Sequence, residues 1–144
     1  AASAEPPAPA AAAPMASMPA PRDLADLLDH LDESFSTTLL ALIDARGLTD
    51  AQVYKRANIS RQLFSKIRSN PAYRPTKPTA VALGVALGLT LDELRDLLAR
   101  AGFALSRSSR FDVIVEFYVA RGVYDIFRIN EALFAYDEQL LGSI

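Results

Sequence analysis

Between Phe35 and Gly102 the sequence switches helices on and off at short intervals, and this punctuation constrains the fold more tightly than any propensity does. Phe35, Leu39, Leu40 and Ile43 recur at helical spacing and stop at Gly47, which enters the left-handed region without steric cost. Thr49 with Gln52 three residues on forms a capping box for a short helix from Asp50 to Ala57. Asn58 tolerates a left-handed turn, and Ser60 caps a helix from Arg61 to about Ser69. After the loop NPAYRP, Thr76 caps a further helix in which Pro78 sits harmlessly in the first turn, and Gly88 ends it. Thr90 with Glu93 makes a second capping box for Leu91 to Ala101, closed by Gly102. No alternating pattern of strands interrupts this series, so the fold class expected is all-α. The Gly84 and Gly88 spacing reads as close helix packing in a core.

The flanks differ from this middle. Residues 1–22, AASAEPPAPAAAAPMASMPAPR, are almost entirely Ala, Pro, Ser and Met, and the scattered prolines forbid a continuous helix. They read as a disordered linker, since no basic region precedes an apolar stretch as in a secretory signal. Because the chain opens on Ala, the expectation is a fused upstream domain tethered by this linker. From Asp23, a capping residue, Leu24, Leu27, Leu28 and Leu31 mark an amphipathic helix to about Asp32. Asp26, Asp29, His30, Asp32 and Glu33 read as its solvated acidic flank and not as a metal site.

At the other end, residues 104–144 form an extension, and eight of the twelve aromatics lie from Phe103 onward. Ser109 caps a helix to about Arg121, with Phe111, Ile114, Phe117 and Tyr118 as its apolar side, and Gly122 ends it. A last helix from Asp125 to about Gln139 presents Ile126, Ile129, Leu133 and Phe134. Together they predict a helical hairpin, packed on the domain of residues 23–103 or used for association, with its aromatics buried.

Charge narrows the function. Residues 1–50 hold eight acids and two bases, and residues 91–144 nine acids and six bases. Residues 51–90 hold no acid and seven bases, Lys55, Arg56, Arg61, Lys66, Arg68, Arg74 and Lys77, inside a chain of net charge -2. Such a partition suits an anionic partner, of which nucleic acid is the commonest. With no cysteine and one histidine, thiol nucleophiles, zinc fingers and histidine triads are excluded, so no catalytic residue, metal or cofactor is expected. The longest apolar run, Ala80 to Leu91, is about half the roughly 20 residues of a membrane span. No membrane partner is expected, and the cytoplasm is the expected compartment.

Two short helices joined by a three-residue turn with apolar Ile59 at its centre make a helix-turn-helix, whose second helix fits the DNA major groove. From about Phe35 to Phe103, through TTLLALIDARGLT, DAQVYKRANIS, RQLFSKIRSN, PTKPTAVALGVALGL and TLDELRDLLARAGF, the sequence resembles the lambda-repressor-like, Xre-type helix-turn-helix family. The resemblance implies a five-helix domain of a bacterial-type regulator in which the helix from Arg61 to Ser69 reads double-stranded DNA. Leu63, Phe64 and Ile67 form that helix's buried stripe and leave Arg61, Gln62, Ser65 and Lys66 for base edges. Lys55, Arg56, Arg68, Arg74 and Lys77 are assigned to phosphates. Two positions depart from the family's pattern. Asp50 stands where a phosphate-touching Gln is common, and Tyr54 stands where a small residue lets the two helices close.

Two functions follow from these residues. One is a sequence-specific DNA-binding module of a transcriptional regulator, acting as a homodimer by occupancy. The other is a non-catalytic adaptor with the same fold that docks proteins, as the resemblance to domains appended to larger bacterial signalling proteins implies.

Overall fold

The computed structural model of the chain describes residues 23–142, so the linker expected over residues 1–22 lies outside the described residues. Eight helices occur among the described residues, with no strand: α1 (Leu24–Asp29), α2 (Phe35–Ala45), α3 (Asp50–Arg56), α4 (Arg61–Ser69), α5 (Lys77–Ala86), α6 (Leu91–Arg100), α7 (Arg110–Ala120) and α8 (Ile126–Ala135). Contacts divide the chain after Asp32 into two compact units, so α7 and α8 belong to the same unit as α2 to α6.

In the first unit, Asp23 caps α1 by accepting from the Asp26 N–H at 3.1 Å. The helix stops at Asp29, three residues short of its expected end, and Leu24, Leu27, Leu28 and Leu31 are 52–74% exposed.

In the second unit every capping residue read from the sequence does its expected work. Thr49, Ser60, Thr76, Thr90 and Ser109 each accept a backbone N–H of the first turn of the helix that follows, and Ser34 and Asp125, not read as caps from the sequence, do the same. Both capping boxes, Thr49 with Gln52 and Thr90 with Glu93, are closed in both directions. The centre of the unit is α5, in which every residue from Thr79 to Ala86 is buried; it packs on α3, α6 and α8. Its approach to α6 is close because Gly84 has no side chain, and a Cβ there would collide with Leu94. Around this axle Leu39, Ile43, Val53, Ile67, Leu94 and Leu97 close a continuous core.

The C-terminal hairpin departs from its expected faces. On α7 the buried residues are Phe111, Asp112, Val115 and Val119, whereas Phe117 is exposed and Ile114 and Tyr118 are half-buried. The helix is turned because Lys77 draws the Asp112 carboxylate inward, at 2.7 Å, while Arg121 covers Phe117 from outside at 3.6 Å from the ring centroid. On α8, Ile126, Ile129 and Leu133 are buried as expected, but Phe127 and Phe134 are 69% and 77% exposed. The helix ends at Ala135 and not near Gln139, because Asp137 takes a left-handed conformation, φ 60°, and Glu138 N–H caps back to Leu133 O at 2.8 Å. The expectation that all the C-terminal aromatics are buried is therefore corrected: Phe117, Phe127, Phe134 and Tyr136 stand in solvent.

Candidate nucleic-acid interface

The interface is built by the turn between α3 and α4. Ala57 N–H completes α3 on Val53 O at 2.9 Å, and Asn58 then turns left-handed at φ 58°. Ile59 N–H reaches back to Tyr54 O at 3.1 Å, and the Ile59 side chain is buried beneath the turn. Ser60 Oγ accepts from Leu63 N–H at 3.0 Å and starts α4. Phe64 and Ile67 anchor α4 in the core, with Leu63 half-buried beside them. The anchoring leaves Arg61, Gln62, Ser65, Lys66 and Ser69 exposed, at positions that share one stripe of a helix.

Tyr54 does not block this arrangement. It is half-buried on α3, and its ring lies 6.0 Å from that of Phe64 at 48°, so it packs over the junction of the two helices.

The seven cations divide into two groups. Lys55, Arg56, Arg61, Lys66 and Arg74 are exposed, and no carboxylate among the described residues forms an ion pair with any of them. Lys55 and Arg56 occupy the last turn of α3, Arg61 and Lys66 the outer face of α4, and Arg74 the loop after it. The other two, Arg68 and Lys77, are already engaged. Arg68 grips Asp50 through two contacts, Nε to Oδ2 at 2.7 Å and Nη2 to Oδ1 at 2.8 Å. Lys77 Nζ lies 2.7 Å and 2.8 Å from the two oxygens of Asp112, which also accepts from Ser106 N–H at 2.8 Å.

Asp50 is thus a partner of Arg68, and the two charges offset one another at the start of α3. Sequence reasoning missed both pairs. The signal available for one of them was Asp112 itself, an acid between Phe111 and Val113 in an apolar helix. Among the described residues, no three of His, Asp and Glu gather to hold a metal ion.

An exposed helix bearing polar and cationic side chains, set on a short left-handed turn and anchored by a hydrophobic underside, defines a helix-turn-helix of the kind that enters a DNA groove. Residues 38–99, running from within α2 to within α6, match the family model of the Cro/C1-type helix-turn-helix DNA-binding domain, which agrees with the lambda-repressor-like resemblance of the sequence. The match spans less than half of the 144 residues and leaves α1, α7 and α8 outside it. No curated protein and no solved structure matches the chain.

Proposed function

We propose that this chain acts as a sequence-specific regulator of transcription, with α4 laid in the major groove of double-stranded DNA. The observation that carries this reading is the exposed stripe of Arg61, Gln62, Ser65 and Lys66, in which neither cation is engaged by a carboxylate. Arg61 and Lys66 have the donors for guanine O6 and N7, and Gln62 can pair with adenine. Lys55, Arg56 and Arg74 flank the stripe and take the phosphates. Arg68 and Lys77, expected on phosphates too, act instead through Asp50 and Asp112. The protein works by occupying DNA in the cytoplasm, as a homodimer on half-sites about one helical turn, roughly 34 Å, apart.

The test is duplex binding by fluorescence anisotropy across a salt series. Three phosphate cations give a slope of log affinity on log salt of about -2.7, and Lys55→Ala or Arg74→Ala each flattens it by about 0.9. Arg61→Ala and Gln62→Ala instead erode discrimination between sequences by about 1–3 kcal/mol. The exposed aromatics of α7 and α8 favour a second reading, an adaptor that docks proteins. Absence of duplex binding at low salt decides for the adaptor.

A further inference from the structure

The segment after α8 returns to the helix-turn-helix. Leu141 is fully buried there, and Asn130 of α8 holds its backbone with both ends of the carboxamide. Leu141 N–H donates to Asn130 Oδ1 at 2.7 Å, and Asn130 Nδ2 donates to Leu141 O at 3.1 Å. The next residue, Gly142, is buried with φ 71°, and a Cβ on it would run into the carbonyl oxygens of Ala57 and Asn58. Both the backbone conformation and the close approach demand glycine. Those carbonyls belong to the turn that sets α4 against α3.

We propose that Asn130 is a positioning residue for DNA recognition: by latching Leu141 it seats Gly142 against the turn and holds the angle at which α4 is presented. The proposal rests on the DNA reading of α4 and extends it to a helix outside the matched domain. Its physical basis is the turn itself. Asn58 is a non-glycine residue in the left-handed region, a conformation that persists where its surroundings over-determine it. Ile59 supplies support from the core side, and the Leu141–Gly142 backbone supplies it from the other chain end. Events at α8 are thereby coupled to the recognition helix through one contiguous contact.

Amide hydrogen exchange on the full chain, paired with duplex binding, tests this with Asn130→Leu and Gly142→Ala. Asn130→Leu removes both the acceptor for Leu141 N–H and the donor to Leu141 O while nearly preserving side-chain shape. The Leu141 amide reports the latch, Asn58 and Ile59 report the turn through their bonds to Lys55 O and Tyr54 O, and Leu83 and Leu97 report the core. The expected result for both variants is at least about tenfold faster exchange at Asn58 and Ile59, unchanged exchange at Leu83 and Leu97, and about tenfold weaker duplex binding. In Asn130→Leu the Leu141 amide opens as well. An opened Leu141 with a protected turn overturns the proposal, as does a Leu141 that stays protected in Asn130→Leu. Uniform loss at all five amides in both variants is global unfolding and also overturns it. If the unaltered protein binds no duplex, the DNA reading fails separately, and the exchange pattern still decides whether the latch supports the turn.

Discussion

The substitution Asp50→Asn separates stability from DNA affinity in opposite directions. Asp50 and Arg68 are 41% and 45% exposed in their side chains, and the substitution breaks their bidentate pair. An exposed pair of this kind contributes about 0.2–1 kcal/mol. Asp50 also lies in the first turn of α3, where a carboxylate stabilises the helix by about 0.3–1 kcal/mol. The variant is therefore expected to lose about 1 kcal/mol of stability in urea titration. Its DNA binding is expected to improve, because Arg68 is released to meet a phosphate and an acid is withdrawn from the same place. One further phosphate contact steepens the salt slope by about 0.9, so a fourfold rise in salt costs the variant about 3.5-fold more affinity than it costs the parent. Removing a like-charge approach at about 7 Å in water adds about 0.6 kcal/mol, so the gain at low salt is about threefold to tenfold. The assay is anisotropy of a labelled duplex at several salt concentrations. A loss of stability with unchanged affinity and slope refutes the reasoning, because it places the end of α4 away from the DNA backbone.

Three further outcomes follow from the packing. Lys77→Met strands the Asp112 carboxylate, which is 2% exposed, and is expected to cost about 2–4 kcal/mol; pairing it with Asp112→Leu recovers much of that loss, a double-mutant cycle in urea being the check. The Thr90 N–H, and after it the Arg46 guanidinium, hold the Glu93 carboxyl below its ordinary value of 4.5. A lowered folded-state value means that this stabilisation is fully present above about pH 4.5 and is lost below it as pH falls through the lowered value, so Glu93→Gln narrows the gap between urea midpoints at pH 7 and pH 3. Gly84→Ala forces its methyl into Leu94 and is expected to cost about 1–3 kcal/mol, read as a lowered thermal midpoint.

Much of the fold was legible because its signals are local. A Thr–Gln or Thr–Glu pair three apart is a capping box wherever it begins a helix, and Asn58 marks the turn because its short polar side chain tolerates the left-handed region. The outward stripe of α4 followed from the same logic, since Phe64 and Ile67 leave only one face for Arg61, Gln62, Ser65 and Lys66. The reading failed where a distant partner rotated a helix. On α7 the most aromatic face was expected inside, yet Lys77 pulls Asp112 and with it Val115 and Val119 to the interior, and Phe117 is left to Arg121. On α8 the left-handed Asp137 cut the helix short, although Asp carries a weaker turn signal than the glycines that follow α2, α5, α6 and α7.

The order and extent of α2 to α6, and the concentration of seven bases in one acid-free block, belong to the sequence alone, because capping and charge are properties of neighbours along the chain. Which of those bases are available was settled only by tertiary structure. Arg68 is claimed by a residue 18 positions away and Lys77 by one 35 away, and a charge meets its partner through space, at distances that no pattern of adjacent residues encodes.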